Sequence, residues 1–281
     1  GNANVSEAKR GSYKMEKNGK TFIKGLVIGA TMTVPGVSGG SMAMVLGIYD
    51  RLLKHVSEIT KYPKESLTFL LWFAAGARSG AFLFSRGISW LLTTRAEGIL
   101  CFFFLGAVAG GIPMILKSAS VSRIRGREMI CILTGILTAL LIALIPQGIF
   151  APGTENTPMH LLFQLAGGFI IAVALVLPGI SASQMLYMLG IYESTLKAIS
   201  SLDIFALLPL AVGGIMGTYL TARILEQLIK KHREATFLMI LGFMLASLPE
   251  LLPGHLAQEN LLFCGMALAA GFVSLYLVTL K

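Results

Sequence analysis

Two short stretches of the chain combine proline, glycine and serine in an order that would expose backbone N–H groups. They are Val34–Ser41 (V-P-G-V-S-G-G-S) and Leu177–Gln184 (L-P-G-I-S-A-S-Q). In each stretch proline ends a helix, glycine permits a turn, and the serine that follows is a suitable N-cap for the next helix. Free N–H groups at the positive end of a helix attract anions. The two stretches therefore predict an anion-binding site.

The candidate ligands of the anion are the serines and glycines that follow each break. They are Ser38, Gly39, Gly40, Ser41, Ser181 and Ser183, and the breaks themselves are Pro35, Gly36, Pro178 and Gly179. The alternative is that glycine and serine only permit close packing of helices. Because the pattern occurs twice, each time after Pro-Gly, we favour a substrate site.

Three arginines inside apolar segments are further candidates for binding an anion. Arg78 has only alanine, glycine and serine within three residues on either side, whereas Arg86 and Arg223 are nearer to the ends of their segments. An arginine inside a membrane is costly and usually functional, and its planar fork suits phosphate. For Arg86 and Arg223 the alternative is that the side chain reaches out to the lipid headgroups.

Two acidic residues occupy matching positions shortly after the two stretches. Asp50 and Glu193 each follow the sequence Leu-Gly-Ile-Tyr. We expect them to pair with the arginines or to carry a proton, and the alternative is solvation at the membrane interface.

Other chemistry is weakly represented. Gly36–Gly40 fits the G-x-S-x-G pattern of a serine hydrolase, but that pattern needs a strand before the serine and histidine and acidic partners. No strand is plausible here, and the histidines fall in loops or at segment ends. The cysteines have no metal-ligand spacing. We therefore predict no enzyme activity, no metal and no cofactor.

The elements that hold these residues are membrane-spanning helices. The 281 residues are 55% hydrophobic and only 13% charged, whereas a soluble domain has about 25% charged residues. Apolar runs long enough for a span of roughly 20 residues recur along the chain. The net charge of +9 lies in short basic clusters between these runs, which argues against a nucleic-acid partner. The composition predicts an all-α polytopic membrane protein.

The chain also repeats itself. Residues 35–38 match residues 178–181, and residues 46–50 match residues 189–193 in the same register. Further along, Leu105-Gly106 matches Leu241-Gly242. We infer two related halves, with a polar arm at 1–20, a first repeat at 21–147 and a second repeat at 148–281.

The loops predict opposite insertion of the two halves. Basic residues concentrate in four regions, which are the N-terminal arm, Asp50–Lys64, Lys117–Arg127 and Arg223–Arg233. Three regions are poor in them and are expected to face outward, namely Gln147–His160, Glu193–Asp203 and Leu252–Asn260. The last two match the basic loops Asp50–Lys64 and Lys117–Arg127 in the repeat, and Arg86–Glu97 has only two basic residues where its match, Arg223–Arg233, has four. Basic loops stay cytoplasmic, so both termini are expected in the cytoplasm and the repeats are expected to have inverted topology.

Each repeat should then consist of a re-entrant helical hairpin and three transmembrane helices. The hairpins would be Thr21–Tyr49 and Leu161–Tyr192, with arms of about 14 residues or roughly 21 Å, too short for a ~30 Å hydrocarbon core. The six predicted spans are Leu67–Leu92, Ile99–Leu116, Met129–Ile145, Ile204–Ile229, Thr236–Leu251 and Leu261–Leu280.

These motifs give the chain a family resemblance. With Pro35–Gly40, Leu46–Asp50 and their second copies at 178–181 and 189–193, the chain resembles the bacterial polyprenyl-phosphate transporter family. The resemblance implies a flippase that returns undecaprenyl phosphate, the lipid carrier of cell-wall synthesis, across the cytoplasmic membrane. The second copy has Ala182 and Ser183 where the first has Gly39 and Gly40, so the two stretches are not equivalent.

We expect alternating access, with the phosphate held at the hairpin tips and the polyprenyl chain in lipid. The expected partners are polyprenyl phosphate and membrane lipids. An ion-coupled transporter or channel for small anions is the alternative, because paired re-entrant hairpins suit that function as well.

Overall fold

The protein is described by a computed structural model that covers residues 18–34, 37–92, 97–121, 123–145, 148, 158–180, 182–201, 203–252 and 261–279. Twelve α-helices are described in these ranges, with one 3-10 turn at Leu248–Leu251, and no strand is found there. In chain order the helices are α1 (18–31), α2 (Gly39–Val45), α3 (Tyr49–Ser57), α4 (Pro63–Leu92), α5 (Glu97–Ala119), α6 (Gly126–Ala143), α7 (Pro158–Val176), α8 (Ala182–Leu189), α9 (Tyr192–Ser200), α10 (Ile204–Lys231), α11 (Arg233–Ser247) and α12 (Leu261–Thr279).

Several of these helices are built to cross a membrane. Five of them (α4, α5, α6, α10 and α11) are long and apolar enough to do so. The sixth predicted span is the apolar helix α12, 19 residues long. Large apolar side chains lie on the outside, such as Phe82 at 79% exposure and Phe205 at 88%, which suits contact with lipid. The prediction of an all-α polytopic membrane protein is confirmed.

The order of helices is the same in both halves. A long helix (α1 or α7) precedes two short ones (α2 and α3, or α8 and α9), and three longer helices follow. The boundaries of the repeats and the opposite insertion of the halves stay predictions.

Glycines set the main helix pairs. Within each half, Gly76 and Gly80 of α4 lie against the backbone of α1, and Gly213 and Gly217 of α10 lie against the backbone of α7 in the same way. Added side chains would collide there, so glycine permits the close approach.

The last helix of each half packs on the other half. Helix α12 lies along α5, and α6 lies along α11. Gly106 of α5 meets the backbone of Leu268, and Gly242 of α11 meets that of Ile132. The two halves are therefore interlocked and do not form separate cores.

The repeated sequence Leu-Gly-Ile-Tyr is a helix C-cap. Gly47 and Gly190 have φ of +63° and +72°. At the first cap the N–H of Gly47 donates to Met44 and that of Ile48 to Ala43. At the second cap Gly190 and Ile191 make the matching bonds to Tyr187 and Leu186. This is the Schellman motif, in which glycine ends the helix in a left-handed conformation.

The caps correct the predicted hairpins. Their second arms, α2 and α8, have 7 and 8 residues rather than about 14, because each helix begins three residues after the glycine of the break and a second glycine ends it early. The segments 50–64 and 193–203, predicted as loops, contain the helices α3 and α9. Buried Tyr49 and Leu53 anchor α3 to the bundle, which loop composition alone did not indicate.

Candidate functional site

The first hairpin breaks where the sequence predicts. Helix α1 ends at residue 31, and the hydroxyls of Thr31 and Thr33 donate to the carbonyls of Ile28 and Ala30 at 2.8 and 2.6 Å. The residue before a proline avoids the helical conformation, in keeping with an end to α1 ahead of Pro35. Pro35 and Gly36 themselves lie outside the described residues.

Ser38 stands at the N-cap position of α2 but does not cap it through its side chain. Its backbone is extended (φ −83°, ψ 131°), and its hydroxyl makes no cap hydrogen bond. The first bond of the helix runs from the N–H of Met42 to the carbonyl of Ser38. The N–H groups of Gly39, Gly40 and Ser41 precede that bond, so they are available to a ligand.

Ser41 adds a largely buried hydroxyl to this tip. The residue is only 5% exposed, and the described residues offer its hydroxyl no hydrogen-bond partner. Within the same described ranges, no fully enclosed side-chain polar atom lacks a partner, so this hydroxyl must open onto space beside α2. A polar group in such surroundings is costly unless it is hydrogen-bonded, and its position therefore favours a polar ligand there.

The second hairpin breaks between α7 and α8. Pro178 is fully buried, and Gly179 has φ +87°. A side chain at Gly179 would come within 2.5 Å of the Phe243 backbone on α11, so this turn is pressed against that helix. Ser181 lies outside the described residues, and for Ser183 only the backbone, near the start of α8, is described.

The structure brings the two tips together. A Cβ atom on Gly40 would lie 3.1 Å from Cα of Pro178 and 3.2 Å from its nitrogen. Nearby, the hydroxyl of Tyr49 donates to the carbonyl of Val176, the last residue of α7, at 2.8 Å. Residues far apart in sequence thus form one central region.

A small cavity of about 30 Å³ adjoins the second tip. Its lining includes Gly179, Met185 of α8, Leu140 of α6 and Ser247 of α11. Leu140 is also half-exposed on the outside of α6, so the cavity borders the lipid-facing surface of the bundle.

The three predicted arginines have no polar partner among the described residues of the tips. Arg78 and Arg86 of α4 and Arg223 of α10 are exposed, and among the described residues none of them has an ion pair or hydrogen bond. Arg78 is near the depth of the first tip, since the adjoining Ala77 lies against Gly29 in the second half of α1.

The structure gives one of the two acidic residues an ion-pair partner outside the predicted set, while a role in carrying a proton stays a prediction for both. Asp50 pairs with Arg233 at 3.0 Å, not with Arg78, Arg86 or Arg223. Arg233 also donates from Nε to the carbonyl of Ser118 at 2.6 Å. Glu193 is exposed at the start of α9, and its predicted role stays untested.

Sequence reasoning missed Tyr49, Arg233 and Glu226 as residues that join the halves. Tyr49 contacts α7, Arg233 contacts α3, and Glu226 of α10 accepts a hydrogen bond from Ser57 of α3. The signal for Tyr49 was available, because it belongs to the duplicated Leu-Gly-Ile-Tyr sequence.

The chain matches a known protein family over most of its length. A family model described as undecaprenyl phosphate translocase-like matches residues 28–263. The chain belongs to the undecaprenyl phosphate translocase-like family.

Two curated relatives of this undecaprenyl phosphate translocase-like protein are both named polyprenyl-phosphate transporter. The protein from Vibrio cholerae serotype O1 is 31% identical over 252 residues, which cover 83% of this chain and 77% of the relative. The protein from Staphylococcus aureus is 32% identical over 244 residues, covering 83% of this chain and 86% of the relative. No solved structure matches the chain.

Proposed function

We propose that this protein carries a polyprenyl phosphate, in bacteria undecaprenyl phosphate, across the cytoplasmic membrane by alternating access. Its family and the names of its relatives support a lipid-phosphate transporter. The meeting of the two tips, Gly40 against Pro178, is the observation that carries the mechanism. It brings free N–H groups and the Ser41 hydroxyl to one place inside a membrane bundle.

The phosphate binds between the tips. The ligands are Ser38, Gly39, Gly40 and Ser41 of the first tip, with Ser181 and Ser183 of the second. Oriented N–H groups in a site of low dielectric hold an anion strongly and replace its water. Arg78, at about the depth of the first tip, reaches the phosphate when it enters, whereas Arg86 and Arg223 guide it from opposite ends of the bundle.

The polyprenyl chain stays in lipid during transport. The cavity beside Gly179 borders the half-exposed Leu140, which supports a lateral path between the second tip and the membrane. A carrier of small anions would need a water-filled vestibule and no such side opening.

The orientation follows from the basic loops. The end of the bundle that carries α3 faces the cytoplasm with both termini, and the two halves insert in opposite senses. Rocking of one half against the other then exposes the tips to each leaflet in turn, and the lipid carrier returns to the inner leaflet.

Binding and transport by purified protein test the proposal. We expect the protein to bind polyprenyl phosphate more tightly than polyprenyl pyrophosphate, and inorganic phosphate only weakly. Ser41→Ala and Arg78→Gln should each weaken binding about tenfold, because each removes a hydrogen-bond donor to an anion. Gly265→Ala, at an open position on α12, is the matched control.

Transport is measured in vesicles with polyprenyl phosphate in one leaflet. Full transport by both variants would count against the tip site. Preference for inorganic phosphate would instead favour the small-anion transporter.

A further inference from the structure

The short helices α3 and α9 hold equivalent positions in the two halves but pack differently. Each lies against a long helix of its own half, α3 on α4 and α9 on α10. Helix α3 also packs extensively on α10 of the other half, whereas within the described residues α9 has no comparable contact with α4. One end of the bundle, the α3 end, is therefore closed by a contact that has no counterpart among the described residues of the opposite α9 end.

Polar contacts fasten the α3 end. Asp50 at the start of α3 pairs with Arg233 of α11 at 3.0 Å. At the other end of α3, the Ser57 hydroxyl donates to Glu226 of α10, which also pairs with Lys230 at 2.7 Å. We call the contacts Asp50–Arg233 and Ser57–Glu226 the latch.

The second half cannot make the same latch. In the repeat register Asp50 corresponds to Glu193, and Arg233, the first residue of α11, corresponds to Glu97, the first residue of α5. The residues of the attractive pair at one end thus correspond to two carboxylates in the other half, and two carboxylates cannot form an ion pair. Ser57 and Glu226 likewise correspond to Ser200 and Ser89, so no carboxylate stands there to accept the hydrogen bond.

The packing around the tips shows the same difference. Helix α2 lies tightly on α5, where the side chain of Val45 fills the space beside Gly111 and Met114 lies over Gly47. The position equivalent to Gly111 in the second half is Ser247, which lines the cavity of about 30 Å³ next to α8. The first tip is therefore packed without space between α2 and α5, whereas the second tip has a small cavity beside α8.

We propose that the latch holds the α3 end of the bundle closed, and that it must break before a bound headgroup leaves at the α3 end. This inference rests on the proposed function. It assigns a gating role to Asp50, Arg233, Ser57 and Glu226. It also makes the α9 end the loading side, because Glu193 and Glu97, the residues equivalent to Asp50 and Arg233, cannot form an ion pair there.

Cysteine accessibility tests the latch without any substrate. The background carries Cys101→Ala, Cys131→Ala and Cys264→Ala. The reporter thiol is introduced by Ile229→Cys, because Ile229 is buried and lies three residues from Glu226 on the same face of α10. The control thiol is introduced by Gln227→Cys, at a position exposed on another face. Labelling by a small maleimide is followed in purified protein.

Breaking the latch should expose the reporter thiol. Arg233→Glu replaces attraction to Asp50 by repulsion, and we expect the reporter thiol to react about fivefold faster, the upper range for a half-exposed ion pair. The control thiol should react at an unchanged rate. Adding Asp50→Arg to Arg233→Glu restores an ion pair with the two charges exchanged. The reporter thiol should then react as slowly as in the protein without either change, which excludes general unfolding. Equal labelling of the reporter thiol with and without Arg233→Glu would overturn the proposal.

Locking the latch gives the complementary test. Ser57→Cys and Glu226→Cys are joined by a short bismaleimide in the same background. We expect the locked protein to bind polyprenyl phosphate as before and its transport to fall at least about tenfold, since release requires the α3 end to open. Wild-type transport by the locked protein would contradict the latch. Failure of the protein to bind polyprenyl phosphate before cross-linking would refute the proposed function. The labelling experiment would still show whether the latch controls access at the α3 end, because it uses no substrate.

Discussion

The two hairpins have the same backbone plan and different side-chain anchors. Both end their second helix with a glycine in the left-handed conformation. In the first hairpin Lys24 donates to the carbonyl of Leu46 at 2.7 Å and Tyr49 donates to Val176. In the second, Gly167 stands at the position of Lys24 and contacts Ile191, and Tyr192 stacks on Tyr187 at 4.0 Å. Duplication has preserved the turns, while the described side-chain hydrogen bonds that anchor a hairpin belong to the first one; the second is held by the backbone bond from Gly148 to Met188.

The largest expected effect comes from the turn that presses the second hairpin on α11. Gly179→Ala combines a positive φ with a collision against the Phe243 and Met244 backbone, which cannot move easily. We expect a loss of about 3 kcal/mol in the free energy of unfolding, and loss of transport. Thermal unfolding in detergent measures it, with Gly265→Ala as the control in open space. A melting temperature close to that of the control would show that the turn is not fixed as described.

Tyr49 and Tyr192 occupy equivalent positions, and their substitution tests whether the two hairpins are anchored differently. Tyr49→Phe removes the donor to the carbonyl of Val176, and a buried acceptor left without its partner costs about 1.5 kcal/mol. Tyr192→Phe keeps the stacked ring and should cost less than about 0.5 kcal/mol. Chemical denaturation of both variants tests this order. Equal losses would mean that the two hairpins are anchored alike.

The helix caps should respond alike in both halves. Gly47→Ala and Gly190→Ala each place a side chain at a positive φ, which costs about 1 kcal/mol. The flexible end of Met114 near Gly47 can move aside, so it should add little. Unfolding of the two variants side by side is the measurement, and a clear difference between them would contradict a purely backbone role for the duplicated glycines.

The sequence was sufficient for features that depend on local chemistry. The apolar runs predicted the helices of all six expected spans within a few residues, because length and hydropathy determine a span. The end of α1 ahead of Pro35 and the break at Pro178-Gly179 followed from the conformational limits of proline and glycine. The early ends of α2 and α8 were also readable, since a glycine after an apolar helix is a C-cap signal.

Side-chain partners were beyond the sequence. Asp50 was expected to meet Arg78, Arg86 or Arg223 but pairs with Arg233, because the partner depends on how α3 crosses α11 in space. The basic charge of this segment did not indicate that Tyr49 and Leu53 would be buried and would anchor α3 to the bundle. Whether the Ser38 hydroxyl accepts a hydrogen bond from an N–H of its own helix also depends on a rotamer, which composition does not encode.

The interlocking of the halves has a consequence for biosynthesis. Helix α6 leaves the ribosome long before α11 is synthesised. The glycine face around Gly135 packs on Met239 in the finished protein. Until α11 has been made, this face must remain exposed to lipid or be shielded by the insertion machinery. Only when the second half has been made can α6 and α12 each find their places. Truncated chains that end after α6 should therefore be recognised by quality-control proteases, even though every helix in them is already inserted.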